Sequence, residues 1–179
     1  FESQTGFKFG KTNLIATFHP ETLKNDYGIG DLKILLEMIE ISNTNILFTL
    51  PNADEGHEKI SEALKEFRKK LPKRVTITPS LGQKRYLSSL FLFDGMIGNS
   101  SSGIIEAPLA GLPVLNIGSR QKGRLRFGNV IEGHSENDGI KKGFGELLSV
   151  IKNIPRKKET NFVKSSPTSC IMDWLQDRI

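Results

Sequence analysis

The 179 residues include a single cysteine, Cys170, and three histidines. One cysteine closes no internal disulfide, and no Cys/His spacing matches a zinc site, so a reducing cytoplasm is the expected compartment. No apolar run approaches the roughly 18 residues that cross a bilayer, which excludes a membrane span. The chain opens Phe1-Glu2-Ser3-Gln4-Thr5-Gly6, without the charged-then-apolar pattern of a leader. A linker-like opening that lacks Met is what a segment trimmed from a longer protein shows. There is no Walker-type glycine-lysine loop, no dinucleotide fingerprint and no Ser/His/Asp order. No cofactor or metal is implied.

Charge is present but dispersed. The formal net charge is +5, yet basic residues cluster only mildly, at Arg68-Lys69-Lys70 and Arg156-Lys157-Lys158, so they trace no nucleic-acid footprint. A hydrophobic share of 37% and a charged share of 25% are those of an ordinary globular chain. The length suits one domain.

From Thr12 onward, short β-prone runs alternate with longer segments of helical periodicity. Strands are predicted at Asn13–Phe18, Asn45–Leu50, Val75–Thr78, Gly95–Ile97, Pro113–Ile117 and Asn129–Ile131. Leu32, Leu35, Leu36 and Ile39 recur at i, i+3, i+4, i+7, as do Ile60, Ala63, Leu64 and Phe67. Gly139–Lys152 repeats the pattern through Ile140, Phe144, Leu147, Leu148 and Ile151, and a last helix over Ser169–Asp177 carries Trp174, with Pro155 between the two. The rhythm predicts an α/β fold: a Rossmann-like parallel sheet with helices on both faces.

Ligands of such sheets sit beyond the carboxyl ends of the strands, so polar residues just after predicted strands are the first candidates. After Gly95–Ile97 comes Gly98-Asn99-Ser100-Ser101-Ser102-Gly103 and a helix start with Glu106 and Pro108. Hydroxyls and unpaired N–H groups there suit a phosphate, and equally a serine there simply caps the helix. Glu106 either accepts bonds from ribose hydroxyls or complements the helix dipole. Pro108 makes the helix short or kinked. After the first strand stands His19-Pro20-Glu21-Thr22, where His19 is either a ligand contact or a solvated loop residue. After the second come Asn52 and Asp54, the latter expected to cap the next helix. After the fifth, Arg120 lies in a basic loop that is either solvated or turned to an anion.

Together these motifs resemble one family. Phe18-His19-Pro20-Glu21-Thr22, Pro51-Asn52-Ala53-Asp54, Ile97 through Gly103 with Glu106-Ala107-Pro108, Gly111-Leu112-Pro113-Val114, and Gly118 through Arg124 are similar in order and spacing to the C-terminal domain of UDP-N-acetylglucosamine 2-epimerases. His19-Pro20-Glu21-Thr22 stands where non-hydrolysing members carry His-Arg-Arg-Glu-Asn, so the resemblance is to the hydrolysing branch. It covers about Asn13 to Ile151. It implies a GT-B-type pair of Rossmann-like domains, of which residues 1–179 would be the UDP-binding one, with the catalytic N-terminal domain absent from this chain. It further implies that Ser100, Ser101 and Gly103 hold the diphosphate, Glu106 the ribose, Arg120 and His19 the phosphate side, and that Asn52 lines the cleft. The implied reaction turns UDP-N-acetylglucosamine and water into N-acetylmannosamine and UDP, by anti elimination and hydration. Close relatives use UDP-diacetylbacillosamine instead. Expected partners are the UDP-sugar, the N-terminal domain and further copies of the protein. A GT-B glycosyltransferase domain is the rival expectation.

Overall fold

The computed structural model describes residues 1–128, 130–136 and 138–153. The segment around Trp174, Pro155 and Cys170 lies outside the described residues. Six parallel strands form one sheet: β1 (Asn13–Thr17), β2 (Asn45–Thr49), β3 (Val75–Thr78), β4 (Gly95–Gly98), β5 (Val114–Ile117) and β6 (Val130–Gly133). Their spatial order is β3-β2-β1-β4-β5-β6, which reverses direction between β1 and β4. That reversal opens a crevice at the carboxyl ends of these two strands.

Helices cover both faces because residues alternate along each strand. Leu14 and Ala16 of β1 join one apolar layer with Leu32, Leu35, Leu36 and Ile39 of α2 (Ile29–Ile41), with Ile60, Leu64 and Phe67 of α3 (His57–Lys70), and with Ile140, Phe144 and Leu147 of α6 (Gly139–Asn153). Ile15, between them, points into the other layer with Phe7, Leu90, Phe93, Met96 and Val114. Each fully buried Leu, Ile, Val, Met or Phe side chain among these contributes about 1.5–3 kcal/mol relative to exposure. All three periodic segments seen in sequence are helical where predicted.

Two helices lack that signature. α4 (Gly82–Leu92) fully buries only Ser89 and Leu90, so its apolar stripe is too thin to stand out. α1 (Glu2–Thr5) falls in the opening stretch that reads as a linker. It precedes Phe7 and Phe9, which with Phe1 and Phe93 form an aromatic cluster with centroids 4.9 to 6.1 Å apart.

The predicted helix after the serine loop is a 3₁₀ turn (Ser101–Gly103) followed by α5 (Glu106–Leu109), four residues long with Pro108 inside it. Pro108 explains the brevity. So short an element supplies free N–H groups rather than a sizeable macrodipole.

Candidate functional site

The β1–β4 crevice is organised by a residue to which the sequence assigns no role. Asn99, fully buried, follows β4 and forms a reciprocal pair with the backbone of His19. Its Oδ1 accepts from the His19 N–H at 2.7 Å, and its Nδ2 donates to the His19 carbonyl at 2.8 Å. The Asn99 carbonyl accepts from Gln121 Nε2 at 2.7 Å and from Arg120 Nη1 at 3.3 Å. One asparagine thereby ties the loops after β1, β4 and β5 together. A small polar residue just beyond a strand end is the available signal, but burial is a tertiary property.

His19 is 6% exposed. Its Nδ1 accepts the Asn52 backbone N–H at 3.2 Å. A backbone N–H can only donate, so Nδ1 carries no proton and Nε2 is the donor. Burial holds the imidazole below its ordinary value of 6.5, the Arg120 charge pushes the same way, and Asp54 opposes. His19 is therefore neutral at pH 7, with its proton on Nε2. The linkage has a definite sign. The unfolded chain takes up this proton first as pH falls, so the contribution to stability is complete above pH 6.5 and is lost as pH drops toward the lowered value. Chemical denaturation of His19→Gln against pH is expected to lose this part of the slope, and an NMR titration should place the imidazole midpoint below 6.5.

Arg120 spans the mouth of the crevice. Besides its bond to the Asn99 carbonyl, its Nη2 lies 3.9 Å from Asp54 Oδ2. The expected capping role of Asp54 is not what forms: the N-cap of α3 is Gly56, without a side-chain cap. The chain runs two residues further before the helix starts, which leaves the Asp54 carboxylate to face Arg120. Its carbonyl accepts the His57 N–H at 3.1 Å.

In the serine loop, Ser100 and Ser102 hydroxyls meet at 3.0 Å. The Ser101 and Ser102 N–H groups find no backbone acceptor among the described residues, whereas Gly103 N–H bonds the Ser100 carbonyl. Two amide donors and three hydroxyls thus stand at the end of β4, a set that suits an anion. Gly103 is buried against Val114.

A cleft of about 420 Å³ opens beside the loop. His19, Asn52, Ser100 and Ser102 line it, together with Thr17, Thr49, Pro79, Ser80, Gln83 and Tyr86. Ser101, Gly103, Glu106 and Arg120 are near it in the fold without lining it, and Glu106 is exposed. The wall formed by Pro79 to Gln83 follows β3, a strand end that carries no motif of its own in the sequence although the same crevice rule applies to it. Tyr86 contributes a buried hydroxyl that completes no hydrogen bond. Burial pushes this phenol up to about 12; nearby Ser102 works against the rise and the Glu106 charge adds to it. Tyr86 is a neutral donor at any physiological pH.

Among the described residues, no group of three or more His, Cys, Asp or Glu is placed to hold a metal ion, and no helix is long and apolar enough to cross a membrane.

A doubly wound parallel sheet whose polar crevice lies at the β1/β4 switch point is a Rossmann-like fold, and its structural neighbours are of the GT-B type. Solved structures agree. The UDP-GlcNAc 2-epimerase of Methanocaldococcus jannaschii superposes with a TM-score of 0.62 at 18% identity, covering 96% of this chain and 47% of that one. A second structure of that enzyme, in complex with UDP-GlcNAc and UDP, gives 0.58 at 16% identity, covering 93% and 45%. The family described as UDP-N-acetylglucosamine 2-epimerase matches residues 2–176, and the chain belongs to it. Over 149 residues it is 38% identical to a GDP/UDP-N,N'-diacetylbacillosamine 2-epimerase (hydrolyzing) of Campylobacter jejuni, covering 83% of this chain and 38% of that protein. Over 169 residues it is 32% identical to the UDP-N,N'-diacetylbacillosamine 2-epimerase (hydrolyzing) of Legionella pneumophila, covering 94% and 43%. The chain thus spans less than half the length of these relatives.

Proposed function

We propose that this chain is the UDP-binding, C-terminal half of a hydrolysing UDP-sugar 2-epimerase, and that it performs no epimerisation without an N-terminal half. The observation that carries the reading is the convergence at the β1/β4 switch point of His19, the serine loop and Arg120, each from a different strand end. Membership of the epimerase family supports a UDP-sugar as the ligand class. The relatives' lengths, more than twice the part matched here, support a missing half.

In this reading the diphosphate rests on the Ser101 and Ser102 N–H groups and the serine hydroxyls. Gly103 lets the loop pack tightly, Asn52 and His19 line the adjoining cleft, and Glu106 reaches the ribose. Departure of UDP places negative charge on the β-phosphate, where preorganised donors act most strongly. Nε2–H of neutral His19 and the guanidinium of Arg120 suit that role, since one donates without adding charge and the other supplies charge and two parallel donors. Arg120 would exchange the 3.9 Å contact with Asp54 for a phosphate. Proton movement at the sugar C2 requires acid and base groups outside this chain. The sugar is N-acetylglucosamine or, as in the names of the two relatives, diacetylbacillosamine.

Calorimetry with UDP tests the site. Arg120→Ala is expected to weaken binding about 10- to 100-fold, the ordinary cost of 1.4–2.8 kcal/mol for a charge-assisted contact, and Ser101→Ala about 3-fold. Unchanged affinity in both variants would remove the diphosphate site. Release of free N-acetylmannosamine by this chain alone would overturn the division between two halves, and transfer of sugar to an acceptor by the longer protein would replace the epimerase reading with a glycosyltransferase.

A further inference from the structure

We propose that Glu21 is a positioning residue that holds Arg120 for its ligand; this rests on the UDP-binding reading above. Glu21 follows β1, two residues after His19, and its side chain is only 4% exposed. Its Oε2 accepts both the backbone N–H of Ser119, at 3.1 Å, and the Ser119 hydroxyl, at 2.9 Å. Ser119 immediately precedes Arg120. The carboxylate therefore grips the Arg120 loop from the β1 side, while the Asn99 carbonyl grips it at Gln121.

The grip has close tolerances. Oε1 lies so near Gly118 that a Cβ there would stand 2.0 Å from it, and Gly118 itself has φ of 76°. A side chain at this position would push the carboxylate away, and the positive φ adds strain that glycine avoids. Oε1 is balanced by Lys24 Nζ at 3.2 Å. The same ammonium donates to Asp31 Oδ2 on α2 at 2.6 Å, and that oxygen also accepts from Ser135 Oγ, beyond β6, at 2.7 Å. Lys24 is raised in pKa: burial works against the charged form, but the bond to Asp31 and the charge of Glu21 outweigh it. Two buried carboxylates, a shared lysine and two serines thus fasten the exits of β1, β5 and β6 to α2. A buried carboxylate is retained only with partners of this kind. Here one partner, Ser119, directly precedes Arg120 on the loop after β5, so the arrangement fixes where the guanidinium starts.

The test is a double-mutant cycle on UDP affinity in the intact protein, read by calorimetry, with a thermal melt of each variant as a separate measure of folding. Glu21→Gln keeps the shape but turns an amide toward either Ser119 or Lys24. It is expected to weaken UDP about 10-fold, the scale of one lost charge-assisted bond. In an Arg120→Ala background the same change is expected to move affinity by less than about 2-fold, because its effect travels through Arg120. Ser119→Ala, which removes one of the two donors and leaves the buried charges paired, should weaken UDP about 3-fold and carries the same comparison if Glu21→Gln does not fold. Glu21→Gln and Ser119→Ala at wild-type affinity, or effects that add fully to that of Arg120→Ala, would overturn the positioning role while leaving the UDP site standing. Arg120→Ala at wild-type affinity would overturn the positioning role as well, and only together with Ser101→Ala at wild-type affinity would it remove the UDP site.

Discussion

Gly98→Ala is expected to destabilise the fold by at least about 3 kcal/mol and to lower the melting temperature by about 10 °C, at the usual 2–4 °C per kcal/mol for a chain of this length. Gly98 ends β4 directly beside Thr17 of β1. It has φ of 139°, and a Cβ built on it would lie 1.9 Å from the Thr17 carbonyl oxygen and 2.8 Å from its carbon. Both atoms are backbone, so no side chain can swing aside. The strands would have to part at the switch point, where Asn99 N–H also bonds the Thr17 carbonyl at 3.3 Å. The defect would therefore reach the serine loop as well as the sheet. Gly145→Ala is the matched control: it lies in α6 with open space around the position, and should stabilise by about 0.5–1 kcal/mol. Circular dichroism melts of the two variants should move in opposite directions. A Gly98→Ala protein that melts with the wild type would mean the strands tolerate the insertion.

Asn99→Asp should cost about 3–5 kcal/mol at pH 7, although it changes a single NH₂ for an oxygen. The wild-type amide gives one hydrogen bond to the His19 backbone and takes one from it. A carboxylate keeps the accepted bond but sets an oxygen against the His19 carbonyl, in a site with no solvent exposure. Both burial and that carbonyl disfavour the charged form, so the new group has a folded-state pKa above its unfolded one. The sign follows: the variant's deficit relative to wild type is full at neutral pH and shrinks as pH falls through the raised value, since the protonated acid can donate as the amide did. Urea titrations of both proteins between pH 5 and 8 read this difference directly. A deficit independent of pH would point to shape rather than charge.

These two positions mark where sequence reading stops. Gly98 and Asn99 both stand in the motif that draws attention to the serine loop, yet nothing local in the sequence tells what either one does. The hydroxyls are visible because serine's chemistry is local. What Gly98 must avoid is a carbonyl 81 residues earlier, and what Asn99 holds is a backbone 80 residues earlier. Asp54 shows the converse error. A helix-capping residue near a helix start is a sound local expectation, and it gives way because the chain runs on to Gly56 before α3 begins, which leaves the carboxylate 3.9 Å from Arg120 of another strand end. Glu21 stands inside a motif without a legible role, since a carboxylate in a loop reads as solvated until its partners beyond β5 are known.

The alternation of β-prone runs and helical periodicity determined the α/β class and five strand positions almost to the residue, because period 2 and period 3.6 are properties of neighbouring residues. The order of the strands was decided only in three dimensions. So were the crevice between β1 and β4, the burial that lowers the pKa of His19, and the clasp from Glu21 to Ser119. Each depends on groups distant in sequence being brought within a few ångströms, where desolvation and hydrogen-bond geometry act.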